Sequence, residues 1–289
     1  MLSNYIDAQK IRNTLMITLT LPKLDYRKNQ PQSLVLNSAE AAYVGKLLAE
    51  NGIGQYEPHT MATALYLLGE VVSSRNFFDV GANIGIYSFF LASVLEPEGL
   101  SIHAFEPTPN LAEIAKKIAK DNSLLYHVED LALGNFSGTA ELYLSRKTDS
   151  SNSLLKGFRE SSKSISVPLE TVDNYCKKIG LMPSVIKIDT EATEPDVLLG
   201  CSETISKNRP WIICEVLAGR TELKLMEVMK PYGYYYYHIN DSLSWMPQAE
   251  IYGDTSYQYR DWLFAPELIT QDFVDRVKQL VIKMNDTNI

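Results

Sequence analysis

Phe77-Phe-Asp-Val-Gly-Ala-Asn-Ile-Gly-Ile-Tyr-Ser-Phe-Phe-Leu91 reads as a strand, a tight turn and a helix in immediate succession. The first apolar run ends in Asp79, the turn extends from Gly81 to Gly85, and a second apolar run starts a helix near Ile86. That order sets backbone N–H groups and a helix N-terminus at the edge of a sheet, where a nucleotide-like ligand can sit. Gly81 permits the sharp turn, and Gly85 lets the helix start close to strand and ligand. Asn83 lies between them at a position that calls for positive φ, which Asn tolerates best among residues other than glycine.

The turn lacks the third glycine of the G-x-G-x-x-G dinucleotide fingerprint, and no G-K-[ST] follows it. It resembles instead the first motif of the class I S-adenosylmethionine-dependent methyltransferases, and in the form D-V-G-A-N-I-G it is similar to that of the FkbM family. The next strand, Ser101-Ile-His-Ala-Phe-Glu-Pro107, ends in Glu106, 21 positions beyond Gly85. An acidic residue at that distance is set to accept hydrogen bonds from ribose hydroxyls. Thr108 and Pro109 read as a helix cap and first-turn proline. The segment Tyr126-His-Val-Glu-Asp-Leu-Ala-Leu-Gly134 resembles the family's third strand; the resemblance implies that Glu129 to Ala132, Asp130 and Ala132 among them, border the adenine.

Further along, Ser184-Val-Ile-Lys-Ile-Asp-Thr-Glu-Ala-Thr-Glu194 is a buried-type strand ending in carboxylates and resembles the family's I-K-I-D-V-E-G-x-E. Asp189, Glu191 and Glu194 match its acidic positions. Thr190 and Ala192 stand where the family usually has Val and Gly, a departure that bears on the local backbone and leaves the acids intact. Trp211-Ile-Ile-Cys-Glu-Val216 is the fifth strand, with Glu215 at its end. Tyr56-Glu57-Pro58 resembles the Glu-Pro before the family's first helix, so Glu57 is either a contact to the cofactor's amino group or a helix cap.

The resemblance implies S-adenosylmethionine as cofactor and methyl transfer to a hydroxyl of a sugar, polyketide or other small metabolite. Gly81, Asn83 and Gly85 would cradle it, Glu106 hold the ribose, and Asp79 lie near the amino acid tail. Asp189 and Glu191 would stand beside the transferred methyl, as a base toward the acceptor or as ligands to Mg²⁺ that also binds acceptor oxygens. His238 is a reserve base, against the commoner structural role of a lone histidine. The competing readings are a nicotinamide-dependent oxidoreductase on a similar sheet, and a non-catalytic module that keeps the fold.

Strands and helices alternate from Phe77 to Val216, which predicts a Rossmann-like, doubly wound α/β sheet, mostly parallel and of about seven strands. Tyr234–Asn240 and Asp261–Pro266 read as late strands of an antiparallel end. Residues 140–170 read as an inserted hairpin whose Ser-rich tip, Arg146 to Lys163, is either a substrate lid or a solvated loop. Residues 1–75 are expected to form a cap of hairpin and helices, with Ser38 capping a helix through Leu48, packed on a methyltransferase domain over 76–289. The formal net charge of −8, without a dense basic run, argues against nucleic acid as partner. Cys176, Cys201 and Cys214 are too few and too scattered for a disulfide framework or zinc motif. No apolar run of about 18 residues predicts a membrane span, and Met1–Arg12 lacks the pattern of a secretory signal. The cytoplasm is the expected location.

Overall fold

The computed structural model describes residues 17–242 and 244–286, so the reading of Met1–Arg12 lies outside the described residues. Strands β1 (Ile17–Thr20) and β2 (Ser33–Leu36) pair antiparallel, with Ile17 opposite Leu36. Helices α1 (Tyr43–Asn51) and α2 (Pro58–Tyr66) follow. Ser38 does not cap α1. Its backbone is left-handed (φ 70°), its hydroxyl accepts from Lys117 Nζ, and a separate turn over Ala39–Ala41 delays the helix to Tyr43.

The main unit alternates β3 (Arg75–Val80), α3 (Ile86–Val94), β4 (Leu100–Phe105), α4 (Pro109–Asp121) and β5 (His127–Glu129). A three-stranded insertion comes next, β6 (Ala132–Leu133), β7 (Gly138–Ser145) and β8 (Ser161–Glu170), in the order β6-β8-β7. The alternation resumes with α5 (Val172–Ile179), β9 (Val185–Ile188), α6 (Glu194–Leu199), α7 (Ser202–Asn208), β10 (Trp211–Glu215) and α8 (Glu222–Met229). Strands β11 (Tyr235–His238) and β12 (Asp261–Ala265) and helix α9 (Gln271–Asn285) close the described chain.

The large sheet has seven strands in the order β11-β12-β10-β9-β3-β4-β5. Only β12 runs against the others, wedged between β10 and β11. Every residue of β9 and β10 is buried, as expected of strands covered on both faces. Alternate side chains divide the core. Phe77, Val185 and Ile213 face a cluster completed by Leu34, Leu48, Met61 and α9. Phe78, Ile186 and Ile212 face another completed by α5, α7 and α8. The N-terminal hairpin and helices therefore form one wall of the main core. The strand order reverses between β3 and β9, and the crevice beyond their C-terminal ends is where open α/β sheets bind ligands.

Candidate active site

The crevice opens on the turn after β3. Gly81 and Ala82 each donate a backbone N–H to Phe105 O at 3.0 Å, which presses the turn against the end of β4. Gly81 has φ +80°, and a Cβ built there would lie 1.9 Å from the Asp189 carbonyl oxygen, so only glycine fits. Asn83 adopts the expected left-handed conformation, φ 55°. Gly85, at φ +81°, starts α3.

Two carboxylates fix this wall. Asp79 is buried, and its Oδ2 accepts from the Ser88 hydroxyl (2.7 Å) and backbone N–H (3.2 Å), tying β3 to α3. Glu106 follows β4 directly. Its two oxygens accept from the backbone N–H groups of Asn83 and Thr108, both at 2.8 Å. Burial pushes the Glu106 carboxyl up to about 7 against the pull of these bonds. Thr108 occupies the cap position of α4 without a side-chain capping bond, and Pro109 is in its first turn.

The opposite wall is the loop after β9. Glu191 and Ala192 are both left-handed, φ 57° and 83°, and Ala192 stands where the resemblance expects glycine. Glu194, fully buried, holds that shape. Its Oε1 accepts from Thr190 N–H (2.9 Å), Thr190 Oγ1 (3.1 Å) and Ala192 N–H (3.1 Å). Glu194 is thus part of the scaffold of this loop.

Between the walls lies a charged cluster. Lys187, buried in β9, donates to Asp189 Oδ2 at 2.9 Å and stands 4.6 Å from the Tyr87 ring centroid. Arg260 pairs with Glu215, and its other nitrogen is 3.9 Å from Glu57 Oε1. Glu57 accepts from Tyr87 OH at 2.7 Å, and Asp261 from Thr60 Oγ1 at 2.8 Å. Burial raises Asp189's carboxyl, but Lys187 and then Arg260 outweigh it and hold the group below its usual range. Burial, with Asp189 adding to it, lifts Glu191 to about 8. Asp189 therefore stays ionised and can hold a cation or an oriented hydroxyl.

Two chambers meet at Gly81, Asn83, Asp189 and Glu191. One is lined by Glu106, Thr108, Ala132, Leu142 and Asn152. The other is lined by Tyr43, Tyr56, Glu57, Asp79, Tyr87, Lys187 and Arg260. The Ser-rich tip of the inserted hairpin folds back as a roof over both. Ser153 Oγ donates to Glu191 O (2.6 Å), Asn152 Nδ2 to Thr108 Oγ1 (3.3 Å), and Asp149 accepts from the Tyr43 N–H (3.1 Å).

Three expected residues lie apart from this crevice. Gly85 lines neither chamber, and a Cβ there would face Ala115 of α4 and Tyr126. Asp130 is exposed and paired with Lys116 at 2.6 Å. His238 stacks on Trp262, with Nε2 2.7 Å from Tyr259 O. Lys187, Glu215, Arg260 and Asp261 also belong to the cluster, although no sequence motif assigns them to it. A lysine inside the apolar run Val185-Ile-Lys-Ile188 was the one local signal, since such a residue must find partners when buried.

The sequence model of the family described as methyltransferase FkbM domain matches residues 79–249, more than half of the chain. No curated protein matches. Among solved structures, a methyltransferase FkbM from Methylobacillus flagellatus KT is 16% identical, with TM-score 0.45, over 70% of this chain and 47% of its own. This chain thus spans about half of that relative's length. An S-adenosylmethionine-dependent O-methyltransferase from Thermotoga maritima is 11% identical, with TM-score 0.38, over 74% of this chain and 67% of its own. A tRNA (uracil-54, C5)-methyltransferase from Pyrococcus abyssi, solved with S-adenosyl-L-homocysteine, is 11% identical, with TM-score 0.36, over 72% and 38%.

Proposed function

This chain belongs to the FkbM methyltransferase family, and we propose that it moves a methyl group from S-adenosylmethionine to a hydroxyl oxygen of a small metabolite such as a sugar or polyketide. The observation that carries this reading is the pairing, across one switch-point crevice, of a turn closed to any side chain at Gly81 with a buried strand-end carboxylate at Glu106. A Cβ at Gly81 would strike the Asp189 carbonyl, so glycine lets the two loops that wall the crevice close together, and the carboxylate has the acceptor chemistry that ribose hydroxyls need. Asn83 and Ala132 would complete the adenosine side. Glu57 and Asp79, in the second chamber, suit the ammonium of the amino acid tail.

S-adenosylmethionine supplies a methyl carbon already activated on a cationic sulfonium. The chain's own tasks are to hold the acceptor in line, exclude water beneath the hairpin roof, and deal with the acceptor's proton. We assign the acceptor to the second chamber. There Asp189 and Glu191 would activate its hydroxyl, directly or through a cation they hold. A net charge of −8 favours a small neutral or cationic acceptor over nucleic acid. Three free, buried thiols fit a reducing, cytoplasmic setting, and no described helix is long and apolar enough to cross a membrane.

Calorimetric titration of S-adenosylmethionine, S-adenosylhomocysteine and NAD separates this from the oxidoreductase reading. The two S-adenosyl ligands are expected to bind and NAD to give no heat. Saturable NAD binding with no S-adenosyl signal would sink the proposal. With an acceptor in hand, Asp189→Asn should keep cofactor affinity and lose roughly 10²–10⁴ in rate. A variant that methylates at the parental rate would return Asp189 to a structural strand end.

A further inference from the structure

The carboxyl groups of Asp189, Glu191 and Glu215 converge, one oxygen of each lying within 4.8 Å of the others. They arrive from the ends of neighbouring parallel strands, so the sheet itself brings them together. Glu215 is 1% exposed. Its Oε1 is taken by Arg260, while Oε2 is buried without any hydrogen-bond partner. Buried carboxylate oxygens are nearly always satisfied, and one that is not points to a missing partner. The chain's own cations here are already engaged, Lys187 by Asp189 and Arg260 by Glu215. With Glu57, Asp79, Glu194 and Asp261 close by, carboxylates outnumber the cations Lys187, Arg260 and Arg159 by more than two to one.

We propose that Asp189, Glu191 and Glu215 bind a hard divalent cation. An all-oxygen donor set without His or Cys favours Mg²⁺, Mn²⁺ or Ca²⁺ over zinc. Oxygens on opposite sides of Ca²⁺ stand about 4.6–5.2 Å apart, and across Mg²⁺ about 4.1 Å. A spread of up to 4.8 Å takes the larger ion as it stands, and Mg²⁺ after a small swing of a side chain. Three carboxylates leave coordination positions open toward the second chamber, where acceptor oxygens would enter. That role at the acceptor rests on the methyltransferase reading; the binding of the ion does not.

The test uses the whole chain, stripped with chelator and desalted, titrated with MnCl₂ alone while free Mn²⁺ is followed by electron paramagnetic resonance. One saturable site is expected, displaced by Mg²⁺ and Ca²⁺. Glu215→Gln and Glu191→Gln should each weaken it by at least about tenfold. Glu191 has no ion pair and is only half-buried, so its variant should fold even if loss of the Arg260 partner unfolds Glu215→Gln. Melting curves establish which variants are folded. No saturable Mn²⁺ binding by the parent, or parental affinity in either folded variant, overturns the site. Titrating S-adenosylhomocysteine into the same preparation keeps the two ideas apart. Mn²⁺ bound without it would leave the cation site standing and remove the methyltransferase reading; the reverse result would do the opposite.

Discussion

Lys187 Nζ lies 2.9 Å from Asp189 Oδ2, two residues along one chain and both turned toward the same acid-lined chamber. Burial alone would lower the lysine's pKa, but Asp189, then Glu57, Asp261 and Asp79, hold it well above its usual value. Lys187→Met would leave those carboxylates without their central counter-charge. Breaking a buried pair from one side typically costs about 3–5 kcal/mol. Urea unfolding at pH 7 is expected to report a loss of that order. A loss below about 1 kcal/mol would mean that water already compensates the cluster.

Gly81→Ala should be worse placed than any surface change. It forces an L-residue to φ +80° and drives a methyl into the Asp189 backbone, which has no rotamer to yield. Strain and overpacking together suggest roughly 2–5 kcal/mol. Denaturant unfolding and S-adenosylhomocysteine binding should both suffer. Parental values in both would show that the turn and the β9 loop can separate freely.

Ala192→Gly should act in the opposite sense. Ala192 sits at φ +83° beside left-handed Glu191, a shape imposed by Glu194 accepting from Thr190 and Ala192. Glycine removes about 1–2 kcal/mol of left-handed strain and returns about 0.4–1 kcal/mol in unfolded-chain entropy. A net gain of about 0.5–1 kcal/mol is expected as a higher melting temperature. A lower one would show that the alanine methyl makes compensating contacts.

Glu106 links cofactor affinity to pH. Burial raises its carboxyl to about 7, the Thr108 and Asn83 bonds oppose this, and Asp79 adds to the rise. Its folded value lies above its unfolded one, so its stabilising contribution is complete below about pH 4.5 and fades as pH climbs through about 7. Ribose hydroxyls donate to the ionised form, so affinity should move the other way, climbing from pH 5.5 and levelling above 7. Glu106→Gln should flatten that climb, because glutamine does not titrate. Calorimetry at several pH values checks both curves. An equal slope in parent and variant would assign the proton elsewhere.

What spacing revealed was local. Strand, glycine turn, Glu106 and the Asp189 strand end follow one another within single βα units, where chain order and neighbourhood coincide. Even Asn83's positive φ was legible, because few residues tolerate it. Glu106's grip on two backbone N–H groups was not, so it braces the turn and the start of α4 as well as facing the crevice. Arg260 reaches Glu215 across 45 positions only because β12 lies beside β10. Nothing near Arg260 announces that neighbour. His238 shows the reverse case, a plausible base whose strand is set apart from the crevice by β12, with its ring against Trp262.

The wedged position of β12 also sets when the molecule can be finished. As the chain leaves the ribosome, β11 follows β10, yet in the sheet β11 pairs with β12, which emerges later. A nascent chain ending near His238 already contains the glycine turn, Glu106 and Asp189. It leaves the outer edge of β10 bare and Glu215 without its arginine. Insertion of Asp261–Ala265 seals that edge, delivers Arg260, and fastens Asp261 to Thr60 more than 200 positions upstream. The charged cluster is therefore closed only once β12 is in place, and a product truncated before Asp261 would present an open, apolar strand edge to other chains.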